Sequence, residues 1–184
     1  METFLLFLMV GLLAQAVDGA LGMAYGVIST SVLLALGVPP AMASASVHGA
    51  EVFTTAASAS SHVAHRNVDW RLVLPLAAAG MIGGALGAYV LTGVDGDVIK
   101  PVIIVYLAAM GGWILWRARK RREPRATRPA WITAPLGLVG GLLDAIGGGG
   151  WGPTVSSTLM GAGQEARRVI GTVNSAEFLV TCTI

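Results

Sequence analysis

The sequence predicts an all-α, polytopic integral membrane protein made of two inverted-topology repeats, each containing short helices broken by glycine. Three observations predict it. The 184 residues are 54% hydrophobic and only 12% charged, where a soluble domain carries about one-quarter charged residues. The segment Leu143 to Glu177 restates Val17 to Glu51 without a gap: Asp18 falls on Asp144, and the same offset carries Gly22 to Gly148, Tyr25 to Trp151, Gly26 to Gly152, Ser31 to Ser157, Gly37 to Gly163, Glu51 to Glu177 and, just beyond, Thr55 to Thr181. Most of the twelve Lys and Arg lie in two places, Arg66 with Arg71 and the run Arg117 to Arg128, as expected of loops facing lipid headgroups or cytoplasm.

The elements follow in order. Phe4 to Val17 is an apolar run of about fourteen residues, short for a perpendicular crossing of a roughly 30 Å hydrocarbon core. It lacks a basic leader region and has Glu2 instead, so it is expected to be a retained helix. Asp18 and the glycines then interrupt it. A second short run, Val27 to Leu36, stops before Pro39-Pro40, because proline has no N–H donor and biases the residue before it away from helical angles. Together they read as a hairpin whose irregular backbone must be buried in protein or line a wet cavity.

Ala41 to Ala64 is long enough to span, and Ser44, His48, Glu51, Thr55, Ser58, His62 and His65 recur along it at steps of four and three, forming one stripe. Such a stripe either packs against another helix with its hydrogen bonds satisfied or lines a substrate path. Leu72 to Leu91 is the fourth helix, with Gly80, Gly84 and Ala88 as a close-packing face. Val98 to Trp116 is the fifth, ending in Trp113 and Trp116 where an interfacial aromatic belt is expected. Trp131 to Ile146 and Pro153 to Ala162 form the second short pair, and Val169 to Ile184 begins the second polar helix. Residues 1–116 therefore form the first repeat, a helical hairpin plus three spanning helices; 117–130 form a basic cytoplasmic loop; and 131–184 form a second, incomplete repeat. The chain is expected to be C-terminally truncated, with the counterparts of the fourth and fifth helices beyond Ile184.

Charge sets the expected orientation. The Arg117–Arg128 loop and the Arg66–Arg71 turn are assigned to the cytoplasm, Pro39 and Pro40 to the outside, and the turn Gln164 to Arg168, with Arg167 and Arg168, to the inside. The motif then occurs in both orientations, as in alternating-access carriers with a midplane site. The alternative is that Arg167 and Arg168 bind substrate.

Each glycine break frees backbone N–H groups at the start of a short helix, a setting that suits an anion. Gly22, Gly26, Gly148, Gly149 and Gly152, the hydroxyls Ser29, Thr30, Ser31, Thr154, Ser156 and Ser157, and Asn174 are the candidate substrate-binding groups. The plain alternative is that the glycines permit close helix crossing and the hydroxyls bond back to their own helices. Asp18 and Asp144 are read as caps for the following helix, or as coupling groups. Glu51 and Glu177, each one turn from a polar neighbour (His48, Asn174) inside an apolar helix, are candidates for proton coupling together with His48; the alternative is that they brace two helices.

Other classes find little support. GGGGWGPT lacks the lysine of a phosphate-cradling loop, the basic run carries no interleaved aromatics, and no Ser-His-Asp or Cys-His set appears at usable spacing, so no enzyme is expected. Metal ligation by His48, His62 and His65 lacks a ligand set; neither a metal nor a cofactor is expected. The single cysteine, Cys182, excludes an internal disulfide framework, and its apolar run suggests a buried thiol. The expected partners are the lipid bilayer and a small anionic substrate, with no nucleic acid and with room for a homo-oligomer.

The pattern DGALGMAYGVISTSVLLALGVPPAMASASVHGAEVF, with its second copy LDAIGGGGWGPTVSSTLMGAGQEARRVIGTVNSAEF, resembles the TauE/SafE family of membrane permeases, often described as sulfite or organosulfonate exporters. The resemblance implies a bacterial or archaeal inner-membrane, multi-pass protein of two related halves that moves small sulfur-containing anions. The first copy departs from it, with GALGMAYG where a fuller glycine run is typical. A secondary carrier of a small anion, coupled to protons through Glu51 or Glu177, is the leading expectation. A channel-like or structural membrane subunit is the alternative.

Overall fold

The computed structural model describes residues 2–119 and 132–184, and every regular element among them is helical. Helix α1 spans Glu2–Leu21, α2 Tyr25–Ala35, α3 Pro40–Ala64, α4 Trp70–Gly93, α5 Gly96–Ala118 and α6 Thr133–Gly147. A π-helical turn, Gly152–Ser156, leads into α7, Ser157–Gly161, and α8 spans Ala166–Thr181. Most of the basic run, from Lys120 onward, lies outside the described residues.

Glycine sets the helix ends. Gly22 (φ 72°) follows α1 and Gly148 (φ 63°) follows α6, while Gly37 (φ 85°) and Gly163 (φ 87°) turn the chain before α3 and α8. These are two pairs of repeat counterparts, all in the left-handed region that a side chain disfavours. The expected break at Asp18 is corrected. Asp18 and Gly19 remain helical, α1 reaches 20 residues, and at 1.5 Å per residue it covers about 30 Å. The break falls at Gly22 because the Asp18 side chain, not its backbone, turns toward the next helix. Pro40 occupies the first turn of α3, where a missing N–H costs nothing.

Helices α4 and α5 are both long and apolar enough to cross a membrane. Helix α3, at 25 residues, has the length, but its polar stripe lowers its hydropathy. On α5 the buried residues Ile99, Ile103, Leu107 and Ile114 form one narrow stripe, and Val98, Val102, Val105 and Leu115 are exposed around it. A helix apolar on most of its circumference has lipid, not water, as its solvent.

Helix α4 packs on α6 and α8 through glycine. A Cβ on Gly83 or Gly141 would collide with a backbone carbonyl of the facing helix, Leu138 and Gly80 respectively, and one on Gly87 would lie 2.6 Å from the Leu142 oxygen. Gly137 meets Leu76 and Gly141 meets Gly80, so the two helices run parallel. Gly80 and Gly84 face Trp151, Val180 and Ile184 instead. The glycine face expected from Gly80, Gly84 and Ala88 is therefore two faces, one toward α8 and one, at Gly83 and Gly87, toward α6. Leu72, Val73, Leu76 and Ala77 of α4 close a core with Trp151, Val155, Leu159, Val169, Val173, Ala176 and Val180.

Counterpart helices α3 and α8 run antiparallel. Gly171 lies against His62 and the Asn67 carbonyl, Asn174 reaches Ser58, and Glu177 shares a cavity wall with Glu51, so positions rise along one helix as they fall along the other. The Asp69 N–H donates to Thr172 Oγ1 at 2.9 Å, fixing the turn after α3 to α8. Cys182 is exposed just past the end of α8. The buried-thiol expectation is corrected: the residue lies one position beyond the buried Thr181 and turns to the outer surface.

Candidate functional site

The two glycine breaks cross each other. A Cβ on Gly26 would lie 2.6 Å from Gly149 Cα and overlap the Gly148 oxygen, and one on Gly152 would lie 2.8 Å from Met23 Cα. The repeat offset carries Met23 onto Gly149, so the crossing is pseudo-two-fold, each break meeting the other through its small residue. Beside it lies a cavity of about 220 Å³, room for several waters of about 30 Å³ each or for a small ion.

Both copies build this cavity. Helix α1 brings Gln15, Asp18 and Gly19, the first break brings Gly22, Met23, Tyr25 and Gly26, and the second brings Gly149, Gly152 and Pro153. Helix α3 supplies Glu51, Thr54, Thr55, Ser58 and His62, α6 supplies Asp144, and α8 supplies Ile170, Asn174 and Glu177. Among the described residues, the lining holds four carboxyls, one histidine and no lysine or arginine. The polar stripe of α3 thus divides: Glu51, Thr55, Ser58 and His62 face the cavity, while Ser44 and His48 are buried against α6.

The hydrogen bonds repeat as the sequence does. Asp18 Oδ1 accepts from the N–H groups of Ala24 (2.7 Å) and Tyr25 (3.1 Å). Asp144 Oδ1 accepts from those of Gly150 (2.8 Å) and Trp151 (2.9 Å). The offset maps each donor onto its counterpart. Both acids cap the helical segment that follows the break, so four of the backbone N–H groups freed at the two breaks already serve a carboxylate.

The hydroxyls mostly turn inward. Ser31 Oγ donates to the Val27 carbonyl at 2.6 Å, and its counterpart Ser157 donates to Pro153. Thr30 Oγ1 donates across the copies to the Gly148 carbonyl at 2.9 Å. Ser29 and Ser156 carry buried hydroxyls with no partner among the described residues, and neither they nor Ser31 and Thr154 line the cavity. Of the expected substrate-binding groups, Gly22, Gly26, Gly149, Gly152 and Asn174 meet at the cavity. Gly148 contributes its carbonyl to Thr30 behind the wall.

His48, 3% exposed, sits behind Glu51. Its Nε2 is 3.2 Å from Asp144 Oδ2 and 3.9 Å from Glu51 Oε2, and that Glu51 oxygen is buried with no hydrogen-bond partner among the described residues. The second copy differs: Asn174, the counterpart of His48, donates from Nδ2 to Ser58 Oγ at 2.7 Å. His62 and His65 lie more than about 20 Å along α3 from His48 at 1.5 Å per residue, and His65 donates from Nδ1 to the Ser61 carbonyl at 2.7 Å. Arg167 and Arg168 are exposed beside Glu165, at 3.3 and 4.0 Å, away from the cavity. Gln15 is a wall residue that the sequence reading missed, although a lone amide one turn before Asp18 in an apolar helix was a usable signal.

Residues 7–184 match the family model described as sulfite exporter TauE/SafE. The probable membrane transporter protein YtnM of Bacillus subtilis (strain 168) is 47% identical over 188 residues, covering 98% of this chain and 62% of the relative. The chain therefore spans less than two thirds of that relative's length. No solved structure matches.

Proposed function

Because the chain belongs to the TauE/SafE sulfite exporter family, we propose that it forms the site-bearing part of a secondary transporter that moves a small anion, sulfite or an organosulfonate, across the inner membrane as a multi-pass protein, with proton coupling. One observation carries this reading: a cavity at the crossing of two antiparallel copies, walled by Asp18, Glu51, Asp144 and Glu177 and by hydroxyl and amide groups.

The wall explains why protons enter the account. Like charges about 4 Å apart repel by about 4 kcal/mol at an effective dielectric of 20, so a wall of ionised carboxyls without a fixed cation rejects an anion. Glu51 and Glu177 are free of the capping duty that holds Asp18 and Asp144. Protonated, each neutralises its share of the wall and offers an O–H donor to an anion oxygen. Anion entry is thereby linked to proton uptake, and release of one to release of the other. Neither a pore nor a purely structural bundle requires that linkage.

The test is flux of labelled sulfite in proteoliposomes of the full-length protein, with sulfate and a carboxylate as competitors. A carrier of this kind saturates, shows counterflow and is faster with an inward proton gradient. Non-saturating flux without counterflow identifies a channel and overturns the reading.

A further inference from the structure

We propose that His48 Nε2 and Asp144 Oδ2 hold one exchangeable proton between them, and that this proton latches α3 of the first copy to α6 of the second. The proposal deepens the proton-coupled reading above and rests on it for its role in transport.

Hydrogen accounting carries the argument. The Ser44 hydroxyl spends its one proton on the Ala145 carbonyl, 2.7 Å away. His48 Nδ1 lies 2.8 Å from the Ser44 carbonyl and 3.2 Å from Ser44 Oγ; the first can only accept, and the second has no proton left. Nδ1 therefore carries a hydrogen. Nε2 is left facing Asp144 Oδ2 at 3.2 Å, with both groups 3% exposed or less. Two acceptors at that distance, away from water, require a proton between them, whether it is written on the imidazole or on the carboxyl. Asp144 cannot turn away to solve this, because Oδ1 is held by Gly150 and Trp151.

The neighbours make the pair loadable. Glu51, on α3, points Oε2 at Nε2 from 3.9 Å and lines the cavity with Asp144. Tyr106, on α5, lays its ring against Gly147 and brings its hydroxyl to Gly150 beside the Asp144 backbone, and that buried hydroxyl has no hydrogen-bond partner among the described residues. Tyr25 at the start of α2, Asp18 on α1 and Glu177 on α8 stand around the same cavity, and α4 contributes nothing to its wall. Loading moves one proton from the cavity solution to the Nε2–Oδ2 pair, unloading returns it, and no other bond changes. Without it, a lone pair faces a carboxylate and the contact between α3 and α6 repels, while Ser44 to Ala145 remains as the adjacent tie. The second copy has no such latch, since Asn174 turns to Ser58. One proton site thus joins the copies on one side only.

The test measures the α3–α6 distance by pulsed electron resonance, with spin labels on cysteines placed at Phe53 and Val139, which are 78% and 47% exposed. The full chain carries Cys182→Ser and sits in phospholipid nanodiscs without sulfite. Wild type should give one short distance in acidic buffer and add a longer one in alkaline buffer. Asp144→Asn keeps its oxygen on Gly150 and Trp151 and donates from its amide to Nε2 at any pH, so it should hold the short distance throughout. His48→Leu removes the proton site and should give a distribution that ignores pH, which keeps the test decisive if Asp144→Asn fails to insert. A wild-type distance that ignores pH, or a variant that keeps the wild-type response, overturns the proposal. With no cargo present, a pH-dependent latch in a protein that shows no sulfite counterflow would keep the latch and remove only the cargo.

Discussion

Asp18 and Asp144 connect sequence to structure at the scale of single residues. Each holds two backbone donors across a glycine break, so Asp18→Ala should cost about 1–2 kcal/mol of stability while Asp18→Asn, which keeps an acceptor, should cost less than half of that. Equilibrium unfolding in mixed micelles measures the difference; equal losses would mean that the charge, not the cap, matters. The capping role was legible because an acid beside a glycine-rich turn has few other uses. The pairing of His48 with Asp144 was not, because the two stand 96 positions apart and nothing local marks the contact. Nor could sequence say which hydroxyls would be spent on their own helix, as Ser31 and Ser157 are, since a free and a back-bonded serine are written alike.

At the scale of elements, glycine decides which helices touch. Gly141→Val places a branched side chain against the Gly80 carbonyl and should destabilise by about 1–3 kcal/mol or more. Gly111→Ala on α5, where an added Cβ meets nothing within 4 Å, should leave insertion and melting unchanged or improved. Thermal melts of the two purified variants check this contrast, and equal behaviour would contradict the α4–α6 packing. Gly152→Val, which pushes into Met23, should abolish flux. The phase of the glycines on α4 was only half legible: AGMIGGALGA carries glycine in two registers, and only the partner helices separate the face at Gly80 and Gly84 from the face at Gly83 and Gly87. The end of α1 was misplaced for a related reason, since a capping aspartate and a helix-ending residue look the same until the backbone shows that Gly22, at φ 72°, turns the chain.

For the whole molecule, the repeat predicted more than any single motif. Matching left-handed glycines, matching caps and antiparallel counterpart helices are what one unit repeated in opposed directions gives, and the antiparallel contact of α3 with α8 is the arrangement that the charge-based topology expects. A cysteine at Val38 should therefore react with a membrane-impermeant reagent from outside, and one at Gln164 should not, in a Cys182→Ser background; the reverse pattern would remove the inverted arrangement. The asymmetry of the repeat, His48 against Asn174, is visible in the sequence; what the repeat could not convey is where the two side chains turn, His48 to Asp144 and Asn174 to Ser58. The most direct measurement of proton-coupled anion transport compares labelled-sulfite counterflow with uptake driven by a pH gradient, for wild type, Glu51→Gln and Glu177→Gln. Glutamine keeps size and hydrogen bonding but exchanges no proton, so counterflow should survive in both variants while gradient-driven accumulation falls to the level of protein-free vesicles, with the Glu51 substitution altering the pH profile more because His48 stands beside it. Gradient-driven uptake that persists in both variants with the wild-type pH profile would contradict the account.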